Sequence, residues 1–106
     1  MTRPVLLVAG GSRGIGASTC KLAGQRGYDV AVNYKSNAKA AASVVDAVKA
    51  AGGKAVAIQG DMIDEDTVER VFDAAANSLG PITHFVHSAG IGGKNSKLEA
   101  ATAQTL

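Results

Sequence analysis

The stretch Val5-Leu6-Leu7-Val8-Ala9-Gly10-Gly11-Ser12-Arg13-Gly14-Ile15-Gly16 restricts the possible folds more than any other part of the chain. An unbroken apolar run leads into a glycine-rich turn, and the turn leads into a segment of helical character. Such a run matches a strand buried on both faces, the kind found in parallel sheets. A glycine turn between that strand and a helix N-terminus makes an anion site. Free N–H groups and the positive end of the helix dipole face the same point.

The rest of the chain repeats the alternation. Ile15, Thr19, Leu22 and Ala23 recur at helical spacing, and Gly27 is placed to end that helix as its C′ residue. Residues 28–34 form a β-branched run that reads as a second strand. Ser36 and Asn37 both suit the N-cap of a second helix. In it Ala41, Val44, Val45, Val48 and Ala51 make one stripe, with Lys39, Asp46 and Lys49 outside it, and Gly52-Gly53 stops it. Residues 54–59 read as a third strand. Asp64, Glu65 and Asp66 crowd the first turn of a third helix, whose apolar positions are Val68, Val71, Phe72, Ala75 and Leu79. Gly80-Pro81 ends it, and residues 82–86 read as a fourth strand running into His87-Ser88-Ala89-Gly90. Residues 91–97 read as a loop, and residues 98–106 as the start of a further helix.

Right-handed crossovers in a β-α-β-α-β-α-β order force parallel strands with helices on both faces. The expected fold is α/β, a Rossmann-like three-layer α/β/α arrangement with strand order 3-2-1-4, an incomplete doubly wound sheet. Composition agrees. With 106 residues the chain is one domain in size, and its aromatics are only Tyr28, Tyr34, Phe72 and Phe85. A core of Val, Ile, Leu and Ala suits such layers.

Composition also narrows the function classes. A net charge of +2, from 11 basic and 9 acidic residues spread along the chain, argues against nucleic acid as a partner. The single cysteine, Cys20, excludes an internal disulfide and makes a reducing compartment the default. Its expected place is a packed helix position. No signal peptide pattern opens the chain, and no apolar run reaches the ~20 residues of a membrane span. A soluble, cytoplasmic protein without a membrane partner is expected. No Cys/His/Asp cluster has metal-ligand spacing. His87 is read as a structural residue at the end of the fourth strand, and His84 as a surface or sheet-face residue.

The turn does not follow the common Gly-x-Gly-x-x-Gly fingerprint, because Thr19 occupies the third glycine position counted from Gly14 and Gly16. Its spacing is Gly10-x-x-x-Gly14-x-Gly16. In this longer turn Gly10 lets the chain leave the strand, Gly14 lets backbone approach a pyrophosphate, and Gly16 lets the helix pack closely. No Gly-Lys-Ser/Thr ending follows, which disfavours a nucleotide-hydrolysing loop.

Over its whole length the chain resembles the N-terminal part of a short-chain dehydrogenase/reductase. The family motif Thr-Gly-x-x-x-Gly-x-Gly is matched by Ala9 to Gly16, with Ala9 where the family usually has Thr. Asn33-Tyr34 after the second strand, Asp61-Met62 after the third and Ser88-Ala89-Gly90 after the fourth are further landmarks. The resemblance implies a dinucleotide held by Gly10, Ser12, Arg13, Gly14, Ile15 and Gly16, with Ser88, Ala89 and Gly90 beside them. It implies that Asp61 contacts the adenine amino group and Met62 the ring edge. Ser88 stands where the family has Asn, and its shorter reach puts the rigidity of that loop in question.

Charge selects the cofactor. An acidic residue at the end of the second strand binds the ribose 2′-hydroxyl of NAD, but Asn33 stands there, followed by Tyr34, Lys35 and Ser36. Asn33 does not repel a 2′-phosphate, and Arg13, Lys35 and Ser36 can bind one. NADP(H) is therefore expected over NAD(H).

The family's chemistry requires a Tyr with a Lys four residues on, because a nearby cation brings the phenol toward neutral pH. Tyr28 is followed at that spacing by Val32 and Tyr34 by Ala38. No catalytic residue is assigned. Residues 1–106 are expected to be the NADP(H)-binding portion of a short-chain oxidoreductase that moves hydride between NADPH and a carbonyl or alcohol, cut off before its catalytic segment. A bare outer edge on the fourth strand would then lead to self-association or pairing with a C-terminal half. The alternatives are a non-catalytic nucleotide-binding module and an inactive half-fold.

Overall fold

The computed structural model describes residues 3–88; Ala89, Gly90 and the loop and helix expected beyond them lie outside the described residues. Four strands, β1 (Val5–Ala9), β2 (Asp29–Tyr34), β3 (Ala55–Gln59) and β4 (His84–His87), alternate with helices α1 (Gly14–Gln25), α2 (Ala38–Ala50) and α3 (Glu65–Leu79). All strand pairs are parallel and the order is β3-β2-β1-β4. The fold is the expected Rossmann-like α/β/α arrangement.

Strand alternation divides the core into two layers. Leu6, Val8, Val30 and Val32 meet Ala17, Cys20 and Ala23 of α1 and Ala41, Val44, Val45 and Val48 of α2 on one face. Leu7, Ala31 and Ile58 meet Val71 and Ala75 of α3 on the other, with Phe72 and Phe85 packed beside them. Covered on both faces, every residue of β1 is buried, which is why that segment is uniformly apolar.

Helix ends follow local chemistry. Asn37, not Ser36, caps α2 by accepting from the Ala40 N–H at 3.0 Å. Asp64 caps α3 by accepting from the Thr67 N–H at 2.8 Å, and that bond holds its carboxyl below the usual range. Ala51, expected in the α2 stripe, is instead its exposed C-cap.

Two expectations change more substantially. The buried face of α1 is Gly16, Ala17, Cys20, Ala23 and Gly24, while Ile15 and Leu22 are 65% and 49% exposed. Close approach decides this. A Cβ on Gly24 would lie 3.1 Å from the Val48 side chain, so only small residues fit between α1 and α2. Leu22 lines a shallow groove of about 230 Å³ with Leu6, Tyr28, His84 and Val86. The fourth strand also starts at His84, not at Ile82. Thr83 marks its threshold: its N–H donates to the Val5 carbonyl at 3.0 Å, and its hydroxyl accepts from the Val5 N–H at 2.9 Å.

Cys20 is fully buried in α1, 3.8 Å from the Gly11 carbonyl, and burial pushes its thiol up to about 12. Native protein at pH 8 is expected to react with iodoacetamide more slowly than a free thiol by on the order of 100-fold or more. Mass spectrometry of timed samples measures this, and rapid native labelling would contradict the packing.

Candidate anion-binding site

The chain leaves β1 through Gly10, whose φ of 75° is in the left-handed region, and enters α1 through Gly14, at φ 61°. Nothing stands within 4 Å of where a Gly14 side chain would project, so the backbone there is open to a ligand. Gly16 is the opposite case. A Cβ on it would collide with the Gly10 carbonyl and the Ser88 hydroxyl. Gly10 thus turns the chain out of β1, and Gly16 permits close packing against the turn and the end of β4.

Two polar residues hold the turn from below. The Ser88 N–H and hydroxyl both reach the Ala9 carbonyl at 2.9 Å, and the hydroxyl lies 3.1 Å from the Gly10 carbonyl. One hydroxyl proton serves two acceptors in turn. The shorter reach of serine is therefore sufficient here.

Asn33 is 2% exposed and fully engaged. Its amide nitrogen donates to the carbonyls of Ile58 at 3.1 Å and Gly60 at 3.0 Å, and its oxygen accepts from the Gly10 N–H at 3.3 Å. The Asn33 carbonyl also accepts from the Gly11 N–H at 2.9 Å. Its side-chain polar atoms thus all go to backbone groups. It is a strut joining the ends of β1, β2 and β3. Strand parity carried the signal, since Asn33 shares the inward α3 face with Ala31.

The rim is cationic and polar. The N-cap of α1 is Arg13, which makes no side-chain capping bond, and the first turn carries no acidic residue. The N–H groups there have no intrahelical partners, and an open cavity of about 390 Å³ is lined by Arg13, Gly14, Ile15, Gly16 and Ser88. Ser12 is half-buried in the turn, and Ile15 stands on its lip. Among the described residues Arg13 has no ion-pair partner. On the far side Lys35 and Ser36 are exposed after β2, and Lys35 Nζ lies 3.6 Å from Asp61 Oδ2. Tyr34 and Met62 are half-buried, packed against the two core layers from opposite sides.

Neither histidine is among the residues that line this cavity. His84 meets Tyr28 edge-on at 5.3 Å between ring centroids, and His87 meets Phe85 edge-on at 5.9 Å. Among the described residues no helix is long and apolar enough to cross a membrane.

Comparison with known proteins agrees with this geometry. The family model for short chain dehydrogenases matches residues 4–106. The chain is 42% identical over 102 residues to the uncharacterised oxidoreductase YgfF of Escherichia coli, covering 96% of this chain and 41% of that protein. It is 42% identical over 87 residues to versicolorin reductase of Emericella nidulans, covering 82% of this chain and 33% of the relative. Among solved structures, a short-chain dehydrogenase/reductase from Serratia marcescens superposes with a TM-score of 0.81 at 30% identity, over 98% of this chain and 49% of that one. A Burkholderia cenocepacia structure with bound NADP superposes with a TM-score of 0.77 at 31% identity, over 81% of this chain and 34% of that one. The chain spans less than half the length of these relatives.

Proposed function

The chain belongs to the short-chain dehydrogenase family, and from that premise we propose that residues 1–106 bind the adenine and pyrophosphate side of NADP(H) in an oxidoreductase acting on a carbonyl or alcohol. The observation that carries this reading is the start of α1. Its N-terminus has no side-chain cap and no acidic residue, and it opens onto a cavity beside the left-handed Gly14. A pyrophosphate supplies the anion that those N–H groups lack. Preference for the 2′-phosphate rests on Arg13 and Lys35, both exposed, with no acidic residue closing β2.

When bound, the nicotinamide supplies or accepts the hydride. The chain's own residues bind and orient. The α1 N–H groups hold the pyrophosphate, Arg13 offers a planar bidentate donor to a phosphate, and Asn33 and Ser88 keep the turn in place. The outer edge of β4 carries no strand among the described residues. We place a further strand there, from the same protein or a second copy.

Titration with NADPH and NADH tests the cofactor. NADPH is expected to bind more tightly, and Arg13→Ala to weaken it about tenfold with little change for NADH, the loss of one charge-assisted contact. Tighter binding of NADH, or no binding of either, overturns the assignment.

A further inference from the structure

We propose that a cavity at the amino ends of the strands is a second ligand site, suited to a small carboxylate with an apolar body. Asp29 opens β2, Lys54 directly precedes β3 and Leu79 closes α3, and all three line this cavity. It therefore lies at the opposite end of the sheet from the glycine turn, and it does not depend on the cofactor reading. Its volume is about 460 Å³, larger than the cavity before α1 and within the ~300–1,000 Å³ of ordinary ligand pockets.

Part of the wall is a cation held in place. Arg3 Nε donates to Asp29 Oδ1 at 2.7 Å, and Arg3 Nη2 donates to the Tyr28 carbonyl at 3.2 Å. Asp29 is only 6% exposed, and the same Oδ1 accepts from the Lys54 N–H at 3.0 Å. A buried carboxylate thus pins the guanidinium, while Arg3 Nη1 makes no hydrogen bond among the described residues. The Lys54 side chain is exposed and has no ion-pair partner among the described residues. With Asp29 matched by Arg3, the charge left over at this cavity is positive. A guanidinium fixed on one side and open on another is well disposed to bind a carboxylate.

The rest of the wall sets the polarity of the ligand. Leu79 and Pro81 are apolar and stand at the C-terminus of α3, whose last turn carries no basic residue. The negative end of that helix dipole disfavours an anion. The head of the ligand is therefore directed to Arg3 and Lys54, and its body to Leu79 and Pro81. An anion charged at both ends would set charge against the helix end, and an ammonium would meet the surplus cation. An amphipathic monoanion satisfies both parts of the wall.

The probe is hexanoate, with acetate, hexanol and hexylamine for comparison, followed on the backbone amides of the full chain by NMR titration. Hexanoate is expected to shift the Asp29, Lys54, Leu79 and Gly80 amides saturably. Acetate should bind about tenfold more weakly, for want of the apolar body, and hexanol and hexylamine should not saturate. Lys54→Gln keeps the backbone bond to Asp29 and is expected to weaken hexanoate about fivefold, the upper range for an exposed charge. No saturable shift, equal binding of hexylamine, shifts centred on Gly14 and Gly16, or a Lys54→Gln protein that binds as tightly as the parent each overturns the site. None of these results touches the cofactor reading, which NADPH titration tests separately.

Discussion

Gly16→Ala is expected to destabilise the protein by about 3 kcal/mol, an overpacking penalty at the upper end of the usual range. Any Cβ at this position meets the Gly10 carbonyl, which is backbone and cannot rotate away, and the Ser88 hydroxyl that holds the turn. Relief requires moving α1 off the turn, so nucleotide affinity is lost together with stability. For a domain of this size the expected drop in Tm is roughly 15 °C. Gly14→Ala is the control. It meets open space but must adopt φ 61°, so its expected stability loss is only about 1 kcal/mol. Thermal melts of the two variants check this, and a Gly16→Ala protein melting close to the parent would refute the close-packing role.

Asn33→Asp has the second large effect, and its outcome separates the two roles of that residue. On a cofactor-reading view the acid should recruit NADH. In the observed geometry it removes both donors to the Ile58 and Gly60 carbonyls and buries a carboxylate against them. Two unsatisfied acceptors and a buried charge together amount to about 4 kcal/mol. Those carbonyls favour the protonated acid, so the folded-state pKa rises above the unfolded value of about 4. The stability contributed by the protonated form is present below that pH and is lost as pH rises through the folded pKa. Urea melts from pH 4 to pH 7 should show the deficit growing with pH. A variant as stable as the parent at pH 7, with a switch to NADH, would restore Asn33 to the rim.

Much of the fold was legible because its signals were unambiguous. Residues 5–9 are apolar throughout and became a strand buried on both faces. The acid-led start of α3 and the Asn37 cap are chemical statements that tertiary packing did not override. The buried face of α1 is not legible from hydrophobicity, because size decides it. Ile15 and Leu22 outrank Gly16 and Gly24 on any transfer scale, yet the helix sits too close to Val48 and the turn to admit them. The buried place of Asn33 follows from strand parity, which puts it on the same face as Ala31, and not from its polarity. The Lys35–Asp61 pair was not legible at all. It joins residues distant in sequence, and only the β2–β3 register brings them together.

The arrangement around Asn33 also bears on how quickly a ligand can be accommodated. The ends of three strands are laced into one unit through a single buried amide, with Ser88 closing the fourth side. The proposed site is therefore stiff at the turn, while Arg13 and Lys35 are long exposed side chains at its rim. Side-chain rotation is a picosecond-to-nanosecond event, whereas repacking a strand end is far slower. Docking should then proceed at the pace of diffusion and rotamer hops. Residence time, set by the contacts formed after arrival, becomes the quantity that distinguishes one dinucleotide from another.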